Sequence, residues 1–123
     1  MNEDKNMLRQ SRIQAFQSLY AFDMGNILNM GDEYTHKLVD YFMANQEKVD
    51  GLISNNLINY TLARLSYVNR ALVRMAVSEM LLGVPAAITI NEALEIAKIY
   101  SDDGSLKDVK FLNRLLDNIK NNM

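Results

Sequence analysis

Apolar residues return along this chain at intervals of three and four, and they divide into six stretches separated by polar breaks. The first runs from about Asn6 to Met24, carries Leu8, Ala15, Leu19 and Phe22, and stops near Gly25. The second, about Glu33 to Ala44, turns Leu38, Val39, Phe42 and Met43 inward. The third covers about Glu47 to Leu57, with Val49, Leu52, Ile53 and Leu57, and Asn55-Asn56 announce its end. A short segment, Asn59–Leu62, then leads into the most apolar stretch of the chain, about Leu65 to Leu82.

That fourth stretch has Leu65, Val68, Leu72, Met75, Ala76 and Met80 along one stripe, with Val77 and Leu81 beside them. Only Arg70, Arg74 and Ser78 make a clear polar stripe, and a helix apolar on most sides belongs at the centre of its bundle. Gly83, Val84 and Pro85 break it. Thr89-Ile90-Asn91-Glu92 has the spacing of a capping box, which predicts that Thr89 opens the fifth helix and Glu92 reaches back to it. That helix buries Ala93, Leu94, Ala97 and Tyr100; a polar loop from Ser101 to Ser105 follows. The sixth helix, about Lys107 to Lys120, lines up Val109, Leu112, Leu116 and Ile119. Sustained strand alternation is absent, so the expected fold is all-α, a compact helical bundle with short connections.

Composition agrees with one domain spanning residues 1–123: a chain of 123 residues should fold to roughly 7,000 Å² of surface from roughly 20,000 Å², enough burial for a core without staples. With no cysteine there are no disulfides, thiolate metal sites or thiol nucleophiles. The opening Asn2, Glu3, Asp4 and Lys5, with no long apolar run after it, does not have the pattern of a signal peptide or a membrane span, so a cytoplasmic location is expected. A net charge of −2 argues against coating nucleic acid by bulk attraction and requires any such contact to come from a local basic patch.

Catalytic chemistry finds little footing, and neither enzyme activity, a metal nor a cofactor is expected. The single histidine, His36, stands on a helix without partners for a triad or a metal site. Asp102 and Asp103 precede Gly104 but lack the further ligands of a calcium loop. Two basic clusters are more informative. Lys5, Arg9 and Arg12 fall at i, i+4 and i+7 on one helix face, which suits either an overhanging nucleic-acid contact or a solvated, snorkelling helix start. On the last helix, Phe111 stands among Lys107, Lys110, Arg114 and Asn118, away from the apolar stripe. Cations around an aromatic ring suit a single-strand platform, where bases stack and lysines meet phosphates. Alternatively, Phe111 packs on a neighbouring helix and the cations are solvated.

Three segments together resemble the NusB family. Arg9-Gln10-Ser11-Arg12 with Ala15-Phe16-Gln17-Ser18-Leu19-Tyr20 is similar to its arginine-rich opening and A-x-Q-x-L-Y helix. The run from Arg64-Leu65 through Val68, Arg70-Ala71 and Arg74-Met75-Ala76 to Glu79-Met80 resembles its central helix. Val84-Pro85, Ile90-Asn91-Glu92-Ala93 and Lys110-Phe111-Leu112-Asn113 through Asp117 resemble its C-terminal part. The resemblance implies two packed helical sub-bundles and an RNA-binding transcription antitermination factor. It implies boxA-type single-stranded RNA of ribosomal leader transcripts as ligand. The small-subunit ribosomal protein NusE and the transcription elongation complex are the implied partners, with a homodimer as a further option. By position, Arg9 and Arg12 fall at the RNA-binding opening, Lys110 and Phe111 at the RNA-contacting end, and Tyr20 and Asn69 on the NusE surface. Lys5, Lys107 and Arg114 extend the two basic clusters. The chain also departs from the family: Leu8 and Gln10 thin the arginine cluster, Asn69 replaces a usual acid, Arg114 replaces a usual glycine, and the loop Ser101–Val109 is longer.

Two rivals stand beside this reading. One is a NusB-like protein scaffold with little RNA binding, which the thin basic patch favours. The other is the N-terminal domain of an RNA cytosine methyltransferase, which requires these residues to be a piece of a longer chain.

Overall fold

The computed structural model describes residues 2–100 and 106–123, with side chains from Leu8 onward. Among them are six α-helices and no strand: α1 (Asn2–Asp23), α2 (Glu33–Ala44), α3 (Gln46–Asn55), α4 (Tyr67–Leu81), α5 (Ala86–Tyr100) and α6 (Lys107–Asn121). A 3-10 turn, Leu62–Arg64, precedes α4.

Local chemistry sets the helix ends. At the end of α1, Gly25 at φ +82° lets its own N–H reach the carbonyl of Phe22 (3.0 Å) and that of Asn26 reach Ala21 (2.9 Å). Gly83 at φ +104° does the same for α4, with Gly83 N–H on Met80 and Val84 N–H on Glu79. Both are Schellman stops, which need a residue in the left-handed region and therefore favour glycine. Ser66 opens α4, its hydroxyl accepting from Asn69 N–H at 3.1 Å. Leu65, expected inside that helix, is extended (ψ 144°) because the cap follows it.

Asp32 opens α2. Its carboxylate accepts from Thr35 N–H (2.9 Å), the Thr35 hydroxyl (3.0 Å) and, across from α1, the Ser11 hydroxyl (2.6 Å). These bonds, that from Ser11 foremost, hold the Asp32 carboxyl below the usual carboxylate range. Asp32→Ala should cost about 1 kcal/mol, as lost N-caps do. A depressed folded-state value stabilises the fold above the usual carboxylate pKa of about 3.9, and the contribution fades as pH falls through the lower folded value. The melting-temperature gap between wild type and Asp32→Ala should therefore narrow on acidification below about pH 4.

Helix α4 is the hub. Every residue from Ala71 to Met80 is buried, and the helix packs against α1, α2, α3, α5 and α6. Helix α2 packs against both α1 and α3 in one sub-bundle, and α5 and α6 join α4 in the other. The core runs through both, from Leu19, Leu38, Phe42 and Ile53 through Leu72 and Met75 to Ile96, Leu112 and Leu116. No described helix is long and apolar enough to cross a membrane.

The capping-box expectation is corrected. Pro85 supplies the carbonyl that accepts from Ile88 N–H (3.0 Å) and Thr89 N–H (3.2 Å), so α5 begins at Ala86 and Thr89 lies inside it. Thr89 and Glu92 are three apart on a helix, hence on one face, and that face is buried against α4 and α1.

Candidate nucleic-acid interface

The two basic clusters meet opposite fates. Arg12 is not a surface cation: its residue is 4 % exposed, and its Nε lies 2.8 and 3.0 Å from the two carboxylate oxygens of Glu79. Its Nη1 reaches Glu92 Oε1 at 3.4 Å. Glu79, itself fully buried, also accepts from the Thr89 hydroxyl (2.7 Å) and the Tyr34 hydroxyl. Burial, then the neighbouring Glu79 carboxylate, pushes the Tyr34 phenol well above its ordinary value. Arg12 thus ties α1 to α4 and α5, and the expectation that it meets RNA is corrected. A guanidinium on a face turned to two carboxylates is bound there by charge-assisted hydrogen bonds.

Arg9 sits one turn earlier at the rim of the same cluster. Nε and Nη2 bond the two oxygens of Glu92 at 3.1 and 2.7 Å, while 38 % of the side chain remains exposed. Arg9 and Arg12 are therefore balanced by Glu92 and Glu79. The Lys5 side chain lies outside the described residues, as do Asp102 and Asp103 of the loop after α5.

The polar stripe of α4 is also internal. Arg74, 8 % exposed, forks onto both oxygens of Asp50 at 2.9 Å, reaches Asp23 at 2.9 Å and stacks 4.9 Å from the Phe42 ring centre. Arg70 shares Asp23 (2.9 Å) and lies over Tyr67 at 5.1 Å.

Of the two residues expected to face a protein partner, Tyr20 is accessible. It stands edge-on to Tyr67 (6.3 Å) and, with Phe16, Gln17, Val68 and Tyr100, lines an apolar groove among α1, the start of α4 and the end of α5. Asn69 is buried, so it offers little surface to a partner here, which corrects that expectation. His36 is half-buried on α2.

On α6 the expected face does form. Lys107, Lys110 and Arg114 are exposed, and Phe111 is half-buried between them, packed against the edge of the core. Its ring lies 6.0 Å from that of Tyr60, tilted by 56°. Arg64 covers Tyr60 at 5.7 Å, and the Tyr60 hydroxyl donates to the Arg64 carbonyl at 2.9 Å. Phe111 thus packs on its neighbours, as the alternative expects, while part of its ring stays accessible. Tyr60 and the exposed Ile58 were not anticipated from the sequence. The available signal was an aliphatic and an aromatic residue in an asparagine-rich connection, where neither serves a helix stripe.

Among the described residues no group of three or more His, Asp or Glu side chains could hold a metal ion. Fold and surface together define an all-α, two-sub-bundle protein whose accessible chemistry is a basic, aromatic helix face. The family model described as "NusB family" matches residues 6–121, and the chain belongs to the NusB family. Transcription antitermination proteins NusB from Bacillus pumilus and Listeria welshimeri are 34% and 39% identical, over 94% and 90% of this chain and 95% and 94% of theirs. A solved structure of antitermination factors NusB and NusE in complex with dsRNA superposes with TM-score 0.80 at 26% identity, covering 96% of this chain and 98% of that one. A chain from the crystal structure of a plectonemic RNA supercoil gives 0.83 at 27% identity, covering 94% and 95%. The chain is thus a member of a family of transcription antitermination factors with RNA-bound structural relatives.

Proposed function

We propose that this chain, as one domain over residues 1–123, binds boxA-type single-stranded RNA of ribosomal leader transcripts jointly with NusE. Its setting is the cytoplasmic transcription elongation complex, and it needs neither cofactor nor catalysis of its own. The observation that carries the reading is the α6 face, where Lys107, Lys110 and Arg114 surround the accessible side of Phe111 on an otherwise acidic chain. Bases stack on such a ring while cations meet phosphates. Arg9, partly exposed, extends the basic surface on α1, where the sequence also carries Lys5; Arg12 supports Arg9 from within by holding Glu92. The aromatic groove beside Tyr20 is the proposed NusE surface.

Titration of a boxA-type strand with and without NusE tests this reading. Binding should be weak alone and tighter with the partner, and about 4 neutralised phosphates give a log–log salt slope of about −3 for a single strand. Equal binding to an unrelated duplex, or indifference to the partner, would sink the proposal. The neutralisation of Arg9 and Arg12 by Glu92 and Glu79 favours a second reading, a protein scaffold with little RNA binding. The same titration then shows no saturable RNA binding while NusE still associates, and sizing of the free chain reports any homodimer.

Phe111→Ala should lower two quantities together. RNA binding should weaken by about 1–3 kcal/mol, the worth of one stacked base. Folding stability should fall by roughly half of the about 3–5 kcal/mol of a fully buried ring, since Phe111 is half-buried. A melt and a titration on one variant read both, and loss of stability with affinity unchanged would remove Phe111 from the interface.

A further inference from the structure

Beside the open side of Phe111, where α6 meets the chain leaving α3, two depressions share a wall. The first holds about 200 Å³ and is walled by Leu57, Ile58, Phe111 and Leu115. The second is shallow and polar, with Lys110, Asn113 and Asp117 around it. Arg114 and Asn118 line both.

We propose that this pair of depressions is a nucleotide site that takes one unpaired base of a bound RNA strand in the apolar pocket and its phosphate in the polar one. The inference rests on the RNA-binding reading above and adds to it the pocket, Asn118 and the Ile58–Tyr60 segment.

Size favours a single base, because about 200 Å³ falls short of the roughly 300–1,000 Å³ of pockets for larger ligands. A paired base could not enter, since its edge is occupied and its neighbours stay stacked. Shape and chemistry follow the same division as a nucleotide: flat and apolar on the faces, anionic at the phosphate. Phe111 supplies a ring face, and Tyr60 braces that ring at 6.0 Å with Arg64 behind it. Ile58, 71 % exposed, lies outside the core and lines the same pocket. A side-chain amide carries both donor and acceptor, as the edge of a base does, and Asn118 lines the pocket. The cations Lys110 and Arg114 line the polar depression, and its carboxylate, Asp117, is 3.7 Å from Lys120 Nζ. Arg114 can therefore lie along the phosphate while its stem closes the pocket. Asn59, at φ +56°, gives the turn between Ile58, on the pocket wall, and Tyr60, beside the Phe111 ring.

The test uses the full chain with NusE and a boxA-type single strand carrying 2-aminopurine at each position in turn. One position should change fluorescence on binding while its neighbours do not, and the change should vanish when the strand is annealed to its complement. Arg114→Ala should shallow the salt slope by about 0.7, one phosphate contact on a single strand. Asn118→Ala should flatten the preference among the four bases at the responding position alone. Arg114 is exposed and Asn118 is half-buried at the surface, so melting of both variants should stay near wild type. If no position responds, or if it responds equally in Arg114→Ala and Asn118→Ala while Lys110→Gln still weakens binding, the nucleotide site is wrong and the RNA-binding reading stands. If wild-type chain with NusE binds no strand, both fall.

Discussion

Arg12→Gln should destabilise the fold by about 3–5 kcal/mol, the loss seen when one member of a buried ion pair is removed. Glu79 would be left fully buried with only the Tyr34 and Thr89 hydroxyls to satisfy its charge, and Glu92 would lose one of its two guanidinium contacts. Arg9→Gln is the contrasting variant. Its side chain is more than a third exposed, so the pair with Glu92 is screened by solvent and its loss should cost at most about 1 kcal/mol. Urea denaturation of the two variants separates an interior tie from a rim contact. Arg12→Gln/Glu79→Gln should recover part of the loss, because no uncompensated charge then stays inside. Near-equal stability of Arg9→Gln and Arg12→Gln would overturn the interior role of Arg12. Any RNA defect in Arg12→Gln must be measured on the folded fraction, since a partly unfolded sample mimics a lost contact.

The second large effect belongs to Arg74. Arg74→Met keeps the stem's packing over Phe42 but leaves Asp50 without its fork and Asp23 with Arg70 alone. Asp50 keeps about a quarter of its side chain in water, so the expected loss lies near the lower end, about 3 kcal/mol. The burial of Arg74 and its bonds to Asp50 and Asp23 make it a joint between α4, α3 and the end of α1. A loss below about 1 kcal/mol would mean the pair behaves as a surface bridge.

Both arginines show where reading along the chain stops. Their spacing places them on defined helix faces, but spacing says nothing about what lies opposite. Arg12 meets Glu79 across 67 residues and Glu92 across 80, and Arg74 meets Asp23 across 51. Thr89 and Glu92 show the same limit from the other direction. Three residues apart, they fit a capping box and a single buried helix face equally well, and only the packing of α5 against α4 and α1 selects the second. Phe111 was separable from the Leu112–Leu116–Ile119 stripe by helical period alone, yet its second wall comes from Tyr60, 51 positions earlier in a loop without periodicity.

The sequence by itself determined the six helices to within a few residues, the glycine stops after α1 and α4, and the central place of α4. These depend on interactions within a few residues or on the period of a single helix. The motifs also sufficed for the family. Only the tertiary structure decided which cations stay accessible and which are neutralised inside, because that depends on carboxylates brought from distant helices. By the same physics, burying Arg12 against Glu79 and Glu92 shifts the accessible basic surface toward α6.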